Sequence, residues 1–262
     1  MIRGALPTNQ AWPLSPLPWR YKILRFVFRK VRWRLARITP QNKTAARMRT
    51  DGEIMSDTLM RPAHLPTWRQ RSALRLLNLA GWKLRYRPLP GPHGIAVVYP
   101  HTSNWDFPIG LLSKWALGLQ FSWLAKDSLF RGPLGPLMRY WGGVPVDRRA
   151  PMGATRLLAE RMLSQPWCWV GITPEGTRGY RPHWKSGFYH LAMAARVPLV
   201  LVYIDYGKKE LGLVDHITLS GDQDADMAAI AAVYEGRQAL NAQDAAPIKL
   251  APPHIGPDRR KA

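Results

Sequence analysis

The chain contains a single cysteine, Cys168, among its 262 residues. One cysteine cannot form an intrachain disulfide, so a disulfide-stabilised framework is excluded and a reducing compartment is expected. Cys168 stands between Trp167 and Trp169 in a strand-like run. We therefore interpret it as a small core residue, the usual position of a free cysteine.

Long hydrophobic runs are also missing. A membrane-spanning helix needs about 20 consecutive apolar residues, and the most apolar stretch, 188–206, is interrupted by His190, Arg196 and Pro198. Near Met1 there is no apolar segment followed by a small-residue cleavage site, so no secretory signal peptide is predicted. If the protein meets a membrane, it is expected to lie on the surface.

Acidic residues are absent from positions 1–50, which hold twelve Lys or Arg. The whole chain has 38 Lys and Arg against 17 Asp and Glu, which gives a formal net charge of +21. Residues 1–50, the basic leader, contribute +12 of this charge, and residues 51–262 contribute the remaining +9. Such an excess favours phosphate-bearing partners: nucleic acid, an anionic membrane or a phosphorylated substrate. Charge alone does not choose among them.

Residues 1–66 are interpreted as a basic, Pro-containing extension and linker. Within them, residues 20–38 mix aliphatic and aromatic side chains with basic ones, which is typical of an amphipathic helix lying on a membrane. An Arg-rich leader without acids is equally typical of a targeting segment. It also fits translated sequence upstream of the natural start, since Met48, Met55 and Met60 precede the first globular pattern.

Residues 67–240 alternate helical and strand patterns, which predicts one α/β domain with a mostly parallel or mixed central sheet flanked by helices. The predicted helices cover residues 68–82, 106–117, 134–141, 152–164, 187–195 and 222–240. The predicted strands cover residues 95–99, 121–125, 144–146, 167–173 and 199–204. Residues 241–262, which are Pro-rich after Ala245, are predicted to form a flexible tail.

Two polar segments directly follow predicted buried strands. Residues 101–106 come after the strand at 95–99, and residues 175–178 come after the strand at 167–173. Ligand sites in α/β sheets form beyond the carboxyl ends of the strands. The two segments are therefore expected to share a catalytic crevice.

His101 and Asp106 are five positions apart, which would set them about 140° apart within one helix. They can meet if His101 lies in the strand-to-helix turn and Asp106 in the first helical turn, a helix start that Pro108 favours. An imidazole oriented by a carboxylate, with no adjacent Ser or Cys nucleophile, is suited to be a general base. On spacing alone, a turn histidine beside a helix-capping aspartate is the alternative.

Arg178 ends the second segment, and its planar guanidinium suits a phosphate group. Lys126 and Arg148 lie on other connections that can converge with it. Taken in isolation, the segment is more typical of a solvated turn with an incidental i, i+3 ion pair. The segment alone therefore does not establish a phosphate site.

Several short blocks together resemble the glycerolipid acyltransferase family, in particular its short bacterial lysophosphatidic acid acyltransferase (PlsC-like) group. The resemblance covers residues 68–240 and depends on the order and spacing of HTSNWD at 101–106, KDSLFRGPLGP at 126–136, GVPVDR at 143–148, EGTR at 175–178 and VPLV at 197–200. Pro100 stands where the family often has Asn, and Leu201 where a second proline is common. Neither departure removes a reacting group.

The resemblance implies that His101 is the catalytic base and that Asp106 orients it. It also implies an acceptor-binding turn at 175–178, with Arg178 and Lys126 toward a glycerol phosphate, and a pocket shaped by residues 143–148. The implied substrate-binding residues are Lys126, Arg148, Glu175, Gly176, Thr177 and Arg178. An oxyanion stabiliser is expected, and backbone N–H groups of the helix after His101 are candidates.

The implied reaction is direct transfer of a fatty acyl group from acyl-CoA or acyl carrier protein to the hydroxyl of a lysophospholipid, most simply 1-acyl-sn-glycerol-3-phosphate. Another lysolipid, such as a lyso-ornithine lipid, is an alternative acceptor. No cofactor beyond the acyl donor is expected, and no metal, since the seven histidines show no zinc-like spacing. The implied location is the cytoplasmic face of the inner membrane, peripherally bound to an anionic surface.

Nucleic-acid binding through the basic leader is the alternative from another functional class. It predicts steep salt dependence that is lost on deleting residues 1–50. The sequence shows no zinc finger, aromatic RNP pattern or clear helix-turn-helix signal, so no nucleic-acid partner is expected. A serine hydrolase is disfavoured because no G-x-S-x-G elbow is present.

Overall fold

The computed structural model describes residues 58–146 and 154–251. The strands are β1 (Thr58–Leu59), β2 (Lys83–Tyr86), β3 (His93–Tyr99), β4 (Phe121–Lys126), β5 (Gly143–Val146), β6 (Cys168–Ile172), β7 (Leu199–Asp205) and β8 (Glu210–Ile217). The α-helices are α1 (Trp68–Leu79), α2 (Asp106–Leu117), α3 (Gly135–Tyr140), α4 (Ala154–Leu163), α5 (Gly187–Ala195) and α6 (Gln223–Tyr234). Short 3-10 turns occupy Pro62–His64, Asp127–Phe130 and Ala242–Asp244.

The eight strands form one mixed sheet in the order β1-β2-β8-β7-β3-β6-β4-β5. The five strands from β7 to β5 are mutually parallel. β8 pairs antiparallel with β7, β2 runs parallel to β8, and β1 pairs antiparallel with β2. The carboxyl ends of β3, β4, β6 and β7 therefore all lie at the same edge of the sheet.

Helices cover both faces of the sheet, which explains why its central strands are apolar almost throughout. On β3, Ile95 and Val97 join a core cluster with α4, α5 and α6, whereas Ala96 joins a second cluster with α1 and α2. β7 divides in the same way, with Leu199 on the first face and Val200 on the second. This alternation follows from the two-residue period of side chains along a strand.

The predicted fold class is confirmed: the described residues form an α/β fold with a mixed sheet flanked by helices. The helices at 106–117 and 187–195 have the predicted bounds. β2 and β8 were not predicted. β8 forms a hairpin with β7 through a turn in which Lys209 has a φ of 47°, and the sequence there carries no Asn-Gly or Asp-Gly signal.

Two predicted domain limits differ from the structure. Residues 58–66, assigned to the linker, belong to the fold, because β1 pairs with β2 and Leu65 is buried. Residues 241–251, assigned to the flexible tail, also pack on the domain: Ala246 and Leu250 are core residues, and the backbone N–H of Trp184 donates to the Lys249 carbonyl at 2.8 Å. The buried apolar residues of this segment are few and widely spaced, so its composition alone favoured a flexible tail.

Helices α1 and α6 end earlier than predicted. α1 stops at Leu79 because Gly81 adopts a φ of 82°, which turns Trp82 into the core instead of extending the helix. α6 stops at Tyr234, just before Gly236 with a φ of 70°.

The possible interfacial helix at 20–38 lies outside the described residues. Among the residues described, no helix is both long and apolar enough to cross a membrane.

Candidate active site

The site forms at the sheet edge where four parallel strands end. His101 follows β3, Lys126 ends β4, Glu175 follows β6 and Tyr206 follows β7. These strands are neighbours in the sheet, so residues that are far apart in sequence meet there. The expected crevice beyond the carboxyl ends of the strands is therefore present.

The ring of His101 is held by Asp106. His101 lies in the loop between β3 and α2, and Asp106 is the first residue of α2. The His101 Nδ1–H donates to Asp106 Oδ2 at 3.0 Å, and the two side chains are 16% and 2% exposed. The same carboxylate oxygen accepts the Ser103 backbone N–H at 2.9 Å. The carboxylate thus fixes both the ring and the loop that carries it.

Tyr206 completes the arrangement and was not anticipated from the sequence. Its hydroxyl donates to Asp106 Oδ1 at 2.6 Å. Its ring meets Trp82 edge-on at 5.0 Å between centroids. Asp106 is therefore held from two sides, by His101 at one oxygen and by Tyr206 at the other. The available signal was its position, immediately after the predicted strand at 199–204.

The Glu175 carboxylate is hydrogen-bonded to the backbone of the loop that carries His101. The side chain is buried, and Oε2 accepts the His101 backbone N–H at 2.7 Å. Oε1 accepts the Ala246 backbone N–H at 3.0 Å. Both carboxylate oxygens are thus occupied by backbone donors, and Glu175 does not line the groove described below. The expected part of Glu175 in acceptor binding stays a prediction, and the contacts it makes in the structure are with the backbone.

Residues after α6 also hold the loop. The Asn241 backbone N–H donates to Thr102 Oγ1 at 3.2 Å, and its side-chain Nδ2–H donates to the Thr102 carbonyl at 2.9 Å. The Tyr99 hydroxyl donates to the Ala246 carbonyl at 3.0 Å. Together with the Glu175 bond, these contacts join the segment after α6 to the loop that bears His101.

The pKa values of the two buried carboxyl groups, Asp106 and Glu175, are shifted in opposite directions. Burial acts to raise the pKa of Asp106, but hydrogen bonds from His101, Tyr206 and Ser103 outweigh it and leave the pKa below its ordinary value. Burial raises the pKa of Glu175 to about 7, despite backbone hydrogen bonds from Ala246 and His101, and the charge of Asp106 adds to the rise. Asp106 therefore carries the negative charge beside His101.

A largely apolar groove of about 660 Å³ opens beside His101 and extends between α2 and the sheet. Its volume lies within the range of small-molecule sites. At one end it is lined by His101 and Asp106. Its apolar floor comes from the strands and is made by Ala96, Val98, Val202, Ile204, Leu211 and Leu213. Such a groove has the shape and polarity to hold a hydrocarbon chain.

Most of the predicted substrate-binding residues lie on this groove. Lys126, Gly176, Thr177 and Arg178 all line it. Gly176 adopts a φ of 67°, a conformation that favours glycine. Arg148 lies outside the described residues. The structure therefore brings together His101, Asp106 and the two cationic side chains of Lys126 and Arg178. Glu175 is instead hydrogen-bonded to the backbone of the His101 loop.

Two backbone N–H groups of the loop between β3 and α2, which precede the helix suggested to stabilise an oxyanion, are engaged within the loop. The Ser103 N–H donates to Asp106, and the Trp105 N–H donates to Ser103 Oγ at 3.1 Å. These two groups build the loop itself. Their use within the loop explains its fixed shape.

Comparisons with known proteins found one matching family and a similar solved structure. The family described as Acyltransferase matches residues 85–205, which confirms the prediction of an acyltransferase-family enzyme. Among solved structures, the chain is similar to the 1-acyl-sn-glycerophosphate (LPA) acyltransferase, PlsC, from Thermotoga maritima, at 17% sequence identity and a TM-score of 0.42, over 65% of this chain and 79% of that one. No curated protein matches the chain.

Replacing Glu175 by Gln should flatten the pH dependence of stability between about pH 4.5 and 7. In this window the folded wild-type protein keeps a proton that the unfolded chain has lost, so its free energy of unfolding falls as pH rises. A pKa of about 7 instead of 4.5 corresponds to about 3 kcal/mol across the window. Urea unfolding at a series of pH values measures the difference between the two proteins.

Glu160→Gln is the matched control, since the Glu160 side chain is 61% exposed and pairs with Arg156 on the surface of α4. Its unfolding profile should follow that of the wild type. Parallel pH profiles for Glu175→Gln and the wild type would show that Glu175 does not titrate in this range.

Proposed function

We propose that this chain, whose residues 85–205 match the Acyltransferase family, transfers a fatty acyl group from an acyl thioester to the free hydroxyl of a lysophospholipid. The proposed acceptor is 1-acyl-sn-glycerol-3-phosphate, which would give phosphatidic acid. The observation that carries the proposal is the His101–Asp106 pair, 3.0 Å apart, at one end of a groove with an apolar floor. A base beside a groove of a size to hold a hydrocarbon chain suits acyl transfer to a lipid acceptor.

His101 acts as the general base. With its Nδ1–H donating to Asp106, the neutral ring keeps a lone pair on Nε2 that can accept a proton. The acceptor hydroxyl loses its proton to Nε2 as its oxygen attacks the thioester carbonyl, and the thiol of CoA or acyl carrier protein leaves. The Asp106 charge stabilises the imidazolium that forms, and the same proton can return to the leaving thiolate.

Lys126 and Arg178 bind the acceptor phosphate. Both line the groove and both are exposed to solvent at its rim. Arginine can hold two phosphate oxygens at once, and lysine adds a second positive charge. Gly176 and Thr177 lie beside Arg178 on the same turn and complete that wall. Arg148, a further phosphate ligand in this proposal, follows β5.

The acyl donor enters as a co-substrate, and the proposed mechanism uses no metal or other cofactor. The donor is acyl-CoA or acyl carrier protein, with the acyl chain in the groove between α2 and the sheet. Because these thioesters are cytoplasmic and the acceptor is a membrane lipid, we place the protein peripherally on the cytoplasmic face of the inner membrane. Another lysolipid acceptor would use the same base and the same groove.

His101→Ala should reduce acyl transfer from oleoyl-CoA to lysophosphatidic acid by roughly 100-fold to 10,000-fold, the usual contribution of a general base. The fold should persist, because Glu175 bonds the His101 backbone rather than its ring. Product formation by the purified full-length protein gives the rate, and circular dichroism checks the fold.

His190→Ala is the matched control, since His190 is an exposed residue of α5; it should keep the wild-type rate. Wild-type turnover by His101→Ala would remove His101 as the base. A folded but inactive wild-type protein would move the test to acyl carrier protein as donor and to other lysolipid acceptors.

Tyr206→Phe should lower kcat about tenfold and leave both KM values nearly unchanged. The variant keeps the ring but removes the hydroxyl that donates to Asp106 at 2.6 Å, and a hydrogen bond to a charged group contributes about 1.5–3 kcal/mol. Steady-state kinetics with each substrate varied in turn measure the effect.

Tyr203→Phe provides the comparison for this variant. The Tyr203 hydroxyl that this variant removes also donates to a carboxylate, that of Glu210, at 2.6 Å. This hydrogen bond does not involve Asp106. Tyr203→Phe should lose a similar amount of stability without the loss of kcat. Equal kcat losses in the two variants would assign Tyr206 a structural role alone.

Arg178→Ala should raise the KM for lysophosphatidic acid about tenfold and change the KM for acyl-CoA much less, because it removes a phosphate ligand. With monoacylglycerol, an acceptor without the phosphate, the variant and the wild type should have similar rates. Arg75→Ala, at an exposed position of α1, is the control. A larger effect on the acyl-CoA KM would contradict the phosphate role.

A further inference from the structure

The connection from β4 to β5, which contains α3, exposes an unusual number of apolar side chains. Within residues 128–140, which we call the apolar segment, Leu134 is 58% exposed and Tyr140 is 70% exposed, and Leu129 and Leu137 are exposed as well. Single exposed leucines are normal on a protein surface. Four large apolar side chains within a dozen residues of one short connection indicate an interaction surface.

The apolar segment is anchored to the fold. Phe130 is buried, and the Arg139 guanidinium lies over its ring at 5.2 Å from the centroid. Arg139 Nη1–H also donates to the Phe130 carbonyl at 3.1 Å. A Cβ added to Gly135 would collide with that same carbonyl oxygen, so the chain is tightly turned there. The exposed leucines are therefore presented in fixed positions.

The apolar segment is continuous with the groove. Leu129 and Met138 belong to the segment and also line the groove, together with Lys126 just before it. One wall of the groove thus extends directly to the exposed leucines. A lipid chain in the groove would lie against the same element that presents Leu134 and Leu137 to solvent.

The charges around the apolar segment suit an anionic surface. Residues 126–140 contain Lys126, Arg131 and Arg139 but only one acid, Asp127. Asp127 forms an ion pair with Arg131. Basic groups beside exposed leucines and a tyrosine match the boundary of a bilayer, with phosphate headgroups outside and acyl chains beneath.

We propose that the apolar segment docks on an anionic lipid bilayer, with Leu134 and Leu137 in the acyl boundary, so that the groove opens toward the membrane. The inference deepens the proposed function, because it identifies how a lipid substrate reaches the groove. It assigns the contact to the folded domain itself, independently of residues 1–57.

An environment-sensitive label tests the contact directly. The label NBD is attached to Leu134→Cys in a Cys168→Ala background, with Leu163→Cys labelled as the control. Leu163 is 49% exposed at the end of α4 and precedes β6, at the sheet edge opposite the site. With vesicles of phosphatidylglycerol and phosphatidylcholine, the emission at position 134 should shift to the blue and increase at least twofold, while that at 163 should not change.

The labelling result decides the proposal without any turnover, so it is independent of the proposed reaction. Equal responses at both positions, or none at 134 while the protein sediments with the vesicles, would overturn it. A blue-shifted emission at 134 before vesicles are added would also overturn it, because the chain or a second copy would already cover the segment.

The double variant Leu134→Ser/Leu137→Ser links the contact to the reaction, and neither residue lines the groove. Its rate should fall about tenfold with lysophosphatidic acid embedded in vesicles and should match the wild type with a monomeric short-chain acceptor. Equal losses with both acceptors would contradict docking. A normal labelling response in wild-type protein that is inactive with both acyl-CoA and acyl carrier protein, and with every lysolipid acceptor tried, would contradict the proposed reaction alone.

Discussion

The site depends on one buried carboxylate. Asp106 is 3% exposed at the first turn of α2, and a buried charge is stable only when its hydrogen bonds are satisfied. His101 and Ser103 donate to one oxygen and Tyr206 donates to the other. These three donors come from two strand ends, so the charge fixes the relative position of the β3 loop, α2 and the end of β7. The contacts that stabilise the Asp106 charge therefore also orient the His101 ring.

Glu175 has the complementary role. Its pKa is raised to about 7 by burial and by the charge of Asp106, so the two carboxyl groups need not both be ionised in the same buried region. Its two oxygens meet backbone N–H groups of His101 and Ala246, which explains why the segment after α6 is ordered against the loop. The loop that carries His101 is therefore held by distant parts of the chain, and its position depends on the whole fold.

The sequence predicted those parts of the fold that local pattern controls. The strand before His101, the helix from Asp106 and the strand before Glu175 were all anticipated, because apolar runs and a proline in the first helical turn are local signals. β8 and the packing of residues 241–251 were not, since they depend on long-range pairing. Tyr206 reaches Asp106 across 100 positions, and only the order of strands in the sheet shows that they are neighbours. The inward orientation of Glu175 could not be predicted for the same reason.

The two faces of the sheet are packed differently, and this difference creates the groove. On the face covered by α4, α5 and α6, the layer is filled by Trp184, Phe188, Tyr189 and Tyr234. On the face covered by α2, the lining of the groove includes the small residues Ala96, Gly110, Ser113, Ala125 and Gly171, beside larger ones such as Phe107 and Trp123. Protein interiors are normally close-packed, so a volume of about 660 Å³ forgoes contacts that larger side chains would make. A hydrocarbon chain, the ligand proposed for this groove, would restore those contacts on the side of the sheet where the groove is lined by His101.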